Sequence, residues 1–174
     1  SNVTIIYNNT EFKLKNGKIE DGLPDKLFLN KLPFDKLRKG LLPESVTTLN
    51  LQGYNYKLEP GVIPESVKTL NLLGYNYKLD EVVIPESVTT LNLQGYNYKL
   101  EPGVIPESVR TLNLQGYNYK LEPGVIPKSV TTLNLEGYNY KLSEDELLDS
   151  NVTIIYNNTE FKLKNGKIED GLPD

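Results

Sequence analysis

The chain has 174 residues and a net charge of -4, and 24% of its residues are charged, with both signs mixed. Cys and His are both absent, which excludes disulfides, thiolate and imidazole metal ligands, cysteine nucleophiles and histidine general bases. Since there is also no basic stripe and no long apolar run, we expect no nucleic-acid partner, no membrane span, no cofactor and no enzymatic activity.

The first 25 residues have the pattern of short β-strands joined by tight turns. Val3 to Tyr7 is rich in β-branched residues, Asn8-Asn9 is a turn sequence, and a second strand is predicted around Phe12, before the Asn16-Gly17 turn. Taken alone, this segment would be a terminal cap. The same 25 residues return unchanged as residues 150–174, so at least one copy cannot be a cap.

Residues 22–41 form an irregular lead-in to the main repeat. Residues 22–27 mimic the opening of the regular repeat, and the interval from Leu23 to Leu42 is 19 residues, which predicts a slightly short coil. Residues 34–40, which end in Gly40, have the makings of a short helical turn closed by glycine.

A phrase of 21 residues then occurs five times without slippage. The copies begin at Leu42, Ile63, Ile84, Ile105 and Ile126. A fixed period of this length is typical of a solenoid, in which each coil stacks on its neighbours to bury its apolar side. The sequence therefore predicts a mainly β protein, a leucine-rich-repeat-like parallel β-solenoid with coils of about 21 residues and short helical turns in the irregular coils.

Stacked coils convert each position of the phrase into a ladder along the sheet. The Leu-x-Leu pair of each copy has the period of two that places both side chains on one face of a strand. The predicted core ladder consists of Leu49, Leu51, Leu70, Leu72, Leu91, Leu93, Leu112, Leu114, Leu133 and Leu135. The alternate residues predict an exposed strand face of Thr48, Asn50, Thr69, Asn71, Thr90, Asn92, Thr111, Asn113, Thr132 and Asn134.

A second asparagine in each copy follows a tyrosine at the corner after the strand. We predict a structural ladder of buried amides that bond the backbone of the adjacent coil, and it consists of Asn55, Asn76, Asn97, Asn118 and Asn139. The tyrosine ranks that begin with Tyr54 and Tyr56 are open to two interpretations, a stacking platform for ligands or simple packing. Alternation favours packing of one rank while the other reaches solvent.

Residues 143–149 lead from the last regular copy to the duplicate. Ser143-Glu144-Asp145-Glu146 has capping-box spacing and predicts a brief helical turn, although its carboxylates could also be a calcium cluster. Residues 151–156 align with the start of the preceding copy after one insertion, so we interpret the duplicated segment as a modified coil. The predicted unit junction consists of Val3, Ile5, Tyr7, Val152, Ile154 and Tyr156.

The organisation that follows is one unit over residues 1–149 and the identical start of another over residues 150–174. Within the unit, residues 1–41 would form two irregular coils, and residues 42–149 would form five regular coils and a junction. Met is absent, from which we expect this sequence to be a processed or interior piece of something longer.

The phrase Ile-Pro-Glu-Ser-Val-x-Thr-Leu-x-Leu, followed by Gly, Tyr-Asn and Pro-Gly-Val-Ile-Pro, resembles the FNIP repeat. The resemblance covers residues 42–142, with Tyr-Asn in place of the family's Phe-Asn and Glu81-Val82 in place of one Pro-Gly. It implies a leucine-rich-repeat-like scaffold without established catalytic residues, in a family described mainly from amoebae and their large viruses.

Two functions compete at this point. The duplication predicts a structural protein that partners with itself, as tandem units or chains stacked end to end in a fibre, outside the cell or on a cell or virion surface. The alternative is a scaffold that binds a protein or glycan through its exposed strand face. Ice binding by the regular threonine and asparagine ladders is a more remote hypothesis.

Overall fold

A computed structural model of the protein describes residues 36–142 and 151–164 in full, and only the backbone of residues 3–7, 10–15, 18–19, 26–28 and 167–168. These residues form twelve strands and no helix. The strands are β1 (Val3–Tyr7), β2 (Thr10–Lys15), β3 (Lys18–Ile19), β4 (Lys26–Phe28), β5 (Thr48–Asn50), β6 (Thr69–Asn71), β7 (Thr90–Asn92), β8 (Thr111–Asn113), β9 (Thr132–Asn134), β10 (Val152–Tyr156), β11 (Thr159–Lys164) and β12 (Lys167–Ile168).

Each regular coil contains one three-residue strand and a return path made of tight turns. In the first coil the N–H of Val46 donates to the carbonyl of Pro43 at 3.3 Å, Tyr54 to Leu51 at 2.9 Å, and Val62 to Glu59 at 3.3 Å. These i to i+3 hydrogen bonds define β-turns. Several turns in about 21 residues bring the chain back beside its own start, one strand further along the sheet.

Strands β4 to β10 pair in parallel, in sequence order, within one nine-stranded sheet. The register is the same throughout the regular coils, so Leu49 faces Leu70, and Leu70 faces Leu91. The predicted parallel solenoid with coils of about 21 residues is thereby confirmed.

The core lies on the inward side of these strands. The ten leucines of the core ladder are at most 1% exposed, and the valine at the fifth position of each copy, such as Val88, is fully buried. Burying one Leu or Val side chain contributes roughly 1.5–3 kcal/mol. The stacked ladders therefore supply the main cohesion between coils.

The interpretation of the duplicated segment as a coil holds for its first strand only. Strand β10 pairs in parallel with β9, with Ile154 opposite Leu133, but β11 and β12 then return antiparallel. Asn157 and Asn158 both have positive φ, at 50° and 58°, which is the two-residue turn of a tight hairpin. A coil would need a crossover of a dozen or more residues. The segment instead adds three antiparallel strands to one end of the nine-stranded sheet, and this group of three strands is named here the meander.

The first copy of the segment forms the same meander. Ile5 faces Phe12 as Ile154 faces Phe161. Strands β1 to β3 make a sheet of their own, with no strand pairing to the nine-stranded sheet. The expectation that the solenoid runs continuously through residues 1–25 is therefore wrong for the strands described there.

The lead-in also differs from its prediction. Strand β4 pairs Leu27 with Leu49, 22 residues away, whereas the sequence alignment placed Leu27 opposite Val46. Residues 36–42 form bends and turns in which the N–H of Leu41 donates to the carbonyl of Arg38 at 3.1 Å. The predicted helical turn at residues 34–40 is absent from their described part, and the one at residues 143–146 lies outside the described residues.

One coil has a strained corner. The second coil replaces Pro-Gly by Glu81-Val82, and Val82 has a φ of 60° and is 76% exposed. The equivalent Gly61, Gly103 and Gly124 have φ values of 82°, 91° and 84°. A β-branched residue at positive φ is a genuine outlier, because its Cβ crowds the adjoining peptide groups.

We expect Val82→Gly to stabilise the protein by about 1 kcal/mol. Relief of the strain is worth about 1–3 kcal/mol, and the added flexibility of glycine in the unfolded chain offsets about 0.5–1 kcal/mol of it. Urea denaturation followed by circular dichroism measures the difference.

Gly124→Val is the reverse variant. A Cβ at Gly124 would meet no atom closer than 3.7 Å, from Pro102, so its cost comes from backbone conformation and not from a clash. If both variants destabilise the protein, the strain argument at Val82 is wrong.

Candidate functional site

The strand face is less free for a ligand than the sequence suggested. Its members are half-buried, except Thr111, which is exposed. The Oδ1 atom of each strand asparagine accepts the backbone N–H two residues later, as Asn92 does from Gln94 at 2.9 Å; the other pairs are Asn50 with Gln52, Asn71 with Leu73, Asn113 with Gln115 and Asn134 with Glu136. These amides hold the turn after the strand, so part of their bonding capacity is already used.

The predicted buried asparagine ladder is wrong in its position. Asn55, Asn76, Asn97, Asn118 and Asn139 are all exposed. One amide contact joins two of them, from Asn139 Nδ2 to Asn118 Oδ1 at 3.3 Å. The physical reason is that this corner points the side chain outward, whereas the strand asparagine lies within reach of its own turn. The Asn-x-x-Gly spacing after the strand was the signal for such a side-chain turn.

The inner tyrosine rank bonds one coil to the previous one. Tyr75, Tyr96, Tyr117 and Tyr138 are 1–2% exposed, and Tyr54 at the start of the array is half-buried. The Oη atom of Tyr96 accepts the N–H of Leu79 at 2.7 Å, and the same bond recurs at Tyr54, Tyr75, Tyr117 and Tyr138. Burial raises the pKa of Tyr75 and of Tyr96 to about 12, because the charged phenolate is disfavoured away from water.

The outer tyrosine rank lies at the surface and packs on the inner one. The ring centroids of Tyr96 and Tyr98 are 5.8 Å apart with a tilt of 48°. The Tyr98 hydroxyl donates to the carbonyl of Asn76 at 3.0 Å. Both ranks therefore contribute to packing between coils, although Tyr56 and Tyr140 of the outer rank are 40% and 39% exposed.

The repeated serine has a role that the sequence analysis did not assign. Ser87 Oγ donates to the carbonyl of Val67 in the preceding coil at 2.7 Å, and Ser66, Ser108 and Ser129 make the same bond. Among the described side chains, every buried nitrogen or oxygen has a hydrogen-bond partner. The repeated serines and the inner tyrosines of the phrase thus link the coils, whereas the strand asparagines hold turns within one coil.

Some of the charged residues described along the coil edges form isolated ion pairs. Lys57 Nζ lies 3.1 Å from Asp80 Oδ2, and Lys99 Nζ lies 3.7 Å from Glu122 Oε1, with side chains about half exposed. Exposed pairs of this kind contribute little, about 0–1 kcal/mol.

Within the described ranges, no group of three acidic, histidine or cysteine side chains could hold a metal ion, and no helix could serve as a membrane span. The candidate calcium cluster at residues 143–146 is outside those ranges.

The last regular coil carries a contact between the solenoid and the meander. The N–H of Thr153 donates to the carbonyl of Thr131, and the N–H of Leu135 to the carbonyl of Ile155, both at 2.8 Å. Glu136 Oε1 accepts the N–H of Asn158 at 2.8 Å. This seat, the edge of β9 together with Glu136, is named here the terminal edge.

The predicted junction residues fall on both copies of the meander. Val152 and Ile154 are buried, at 3% and 2% exposure, and Tyr156 is half-buried against the same core. Val3, Ile5 and Tyr7 lie in β1, and their side chains are outside the described residues.

In-register parallel strands, apolar ladders and inter-coil polar bonds define a leucine-rich-repeat-like solenoid scaffold. Residues 35–74, 75–116 and 117–147 match the FNIP Repeat family model. The chain belongs to the FNIP repeat family, which confirms the resemblance stated above.

One solved structure supports the same fold class. It is titled "The crystal structure of CroV588 a novel circular LRR protein structure", and it matches with a TM-score of 0.61 and 29% identity. The match covers 70% of this chain and 19% of CroV588, so this chain spans about a fifth of that protein. No curated protein matches the sequence.

Proposed function

We propose that the protein is a structural scaffold whose units join end to end through the meander and the terminal edge, building a filament. One observation carries the proposal: an identical 25-residue segment forms the same meander twice, and one of the two is seated on the last coil of the solenoid. The seated copy, in which β10 pairs with β9 within one chain, supports complementarity between the terminal edge and the meander.

Each unit then has a donor and an acceptor. The donor is the first meander, whose β1 backbone pairs with β2 but with no other described strand. The acceptor is the terminal edge, which the second meander covers. A contact between two different surfaces of the same unit is heterologous, and it propagates unless the rotation between units closes a ring. A strand edge without a partner strand favours pairing with another chain.

The similar structure bears on the form of the assembly. CroV588 is described as circular, and the same end-to-end pairing in this protein would close if its coils turned through a full circle. We propose an open filament because the meander interrupts the coil path at each junction. An extracellular, cell-surface or virion-surface location suits such a filament.

The test compares two pieces of the chain. Residues 1–149 present the first meander and an uncovered terminal edge, and they are expected to form concentration-dependent oligomers in analytical ultracentrifugation and filaments in electron microscopy. Residues 26–174 keep the terminal edge covered and lack the first meander, so they are expected to stay monomeric. Circular dichroism shows whether both pieces retain the solenoid.

A folded 1–149 piece that remains monomeric at every concentration contradicts the proposal. In that case the scaffold that binds a protein or glycan through its strand face is the better function. Closed rings in the micrographs would support end-to-end joining and contradict the open filament.

A further inference from the structure

We infer that Glu136 sets the register in which a meander docks on the terminal edge, as it does when it accepts the N–H of Asn158, and that between units it docks the first meander of a second copy of the chain in the same way. The part that concerns a second copy rests on the proposed function, because the two meander segments have the same sequence.

The first step is the residue type at this position. In the five regular copies, the residue just before the turn glycine is Gln52, Leu73, Gln94, Gln115 and finally Glu136. The carboxylate thus occurs only in the copy that meets a meander. The presence of Leu73 shows that a coil forms without any polar side chain here, so Glu136 is not required by the coil itself.

The second step is a reversal of hydrogen-bond direction at the end of the array. Between regular coils, the turn glycine donates forward to a carbonyl of the next coil, as Gly95 does to Gln115 at 2.9 Å and Gly116 to Glu136 at 2.8 Å. At the turn of the last coil the direction is opposite, because the meander donates the N–H of Asn158 back to Glu136, although the strand bond from Leu135 to Ile155 still runs forward. The last coil therefore needs a side-chain acceptor, which leucine cannot provide.

The third step is the need for a register contact. Strand β9 has three residues, and only three pairs join it to β10. A slip by one residue would turn the buried Val152 and Ile154 toward the outside, which burial opposes, but a slip by two residues would keep the same face inward, and burial alone does not prevent it. A carboxylate that accepts one defined turn N–H gains a charge-assisted bond in a single register.

The test uses the full 174-residue chain and amide hydrogen exchange. Glu136→Leu is expected to accelerate exchange across β10 and at Asn158 by about tenfold or more, because a hydrogen bond to a charged group is lost from the docked state. Exchange in β6 to β8 should not change. Glu136→Gln keeps a hydrogen-bond acceptor without the charge, so its exchange rates in β10 and at Asn158 should lie between those of the unsubstituted chain and those of Glu136→Leu.

The matched control is Gln115→Leu, which makes the same change of shape one coil earlier and recreates the residue found at Leu73. It is expected to leave β10 exchange unaltered. Unchanged β10 exchange in Glu136→Leu, or an equal acceleration in Gln115→Leu, overturns the inference.

The two proposals fail separately, because this exchange is measured within one chain and needs no assembly. If Glu136→Leu accelerates amide exchange in β10 but the 1–149 piece is monomeric, the docking role of Glu136 is supported and the filament is contradicted. If the 1–149 piece assembles equally strongly with and without Glu136→Leu, the filament is supported and the role of Glu136 between copies is overturned.

Discussion

The Leu91→Ala variant is expected to lose about 2–5 kcal/mol of unfolding free energy, the range for deletion of a well-packed leucine. Leu91 lies in β7, in the middle of the parallel strands, and is 1% exposed. Leu70 and Leu112 flank it on the neighbouring coils in the same register. Because both neighbours are held by their own coils, the cavity left by the substitution cannot collapse easily. The loss of unfolding free energy should therefore not fall below this range.

Thr90→Ala is the control for this variant. Thr90 precedes Leu91 in the same strand but faces outward and is half-buried, so its truncation should cost within about 0.5–1 kcal/mol. Urea denaturation of both variants gives the comparison. Equal losses from the two substitutions would contradict the assignment of inner and outer strand faces.

The Tyr96→Phe variant is expected to lose about 1–3 kcal/mol. The substitution removes one oxygen from a side chain that is 1% exposed, and it leaves the N–H of Leu79 buried without its acceptor. Burying an unsatisfied backbone donor costs about this amount. The variant should also lose one of the tyrosine ionisations near pH 12, measured by ultraviolet absorbance titration.

Tyr98→Phe tests whether the loss depends on burial. The Tyr98 hydroxyl donates to the carbonyl of Asn76 in an exposed setting, so water can replace it. A loss of at most about 0.5 kcal/mol is expected. If Tyr98→Phe destabilises the protein as much as Tyr96→Phe, the inner rank has no special role in joining the coils.

The function of the two asparagines in each repeat could not be predicted from sequence pattern. Both positions recur with the same period, so periodicity assigns each to a ladder without showing which side chain can reach the backbone. Asn92 lies beside its own turn and accepts the N–H of Gln94, whereas Asn97 points outward. The Asn-x-x-Gly spacing favoured a hydrogen bond from the turn to Asn92, but the conformation of the corner determined that Asn97 points outward.

For the duplicated segment, too, the sequence predicted one part of the structure and not the other. Its alignment with the preceding repeat correctly predicted that residues 152–156 continue the parallel sheet in register. The Asn-Asn turn was visible in the sequence, yet its consequence depends on both residues adopting positive φ. That conformation reverses the chain after β10 and produces a meander where a coil was expected.

The sequence by itself determined the parallel solenoid, its register and its core. A strict period of 21 residues with the Leu-x-Leu alternation stacks identical positions on one another, and a different register would expose the leucines. Only the tertiary structure decided which polar side chains join the coils and that Glu136 meets the turn of the meander. Those contacts link residues about 20 positions apart through the geometry of the turns, and a hydrogen bond depends on placement within a few tenths of an ångström, which hydrophobic periodicity does not encode.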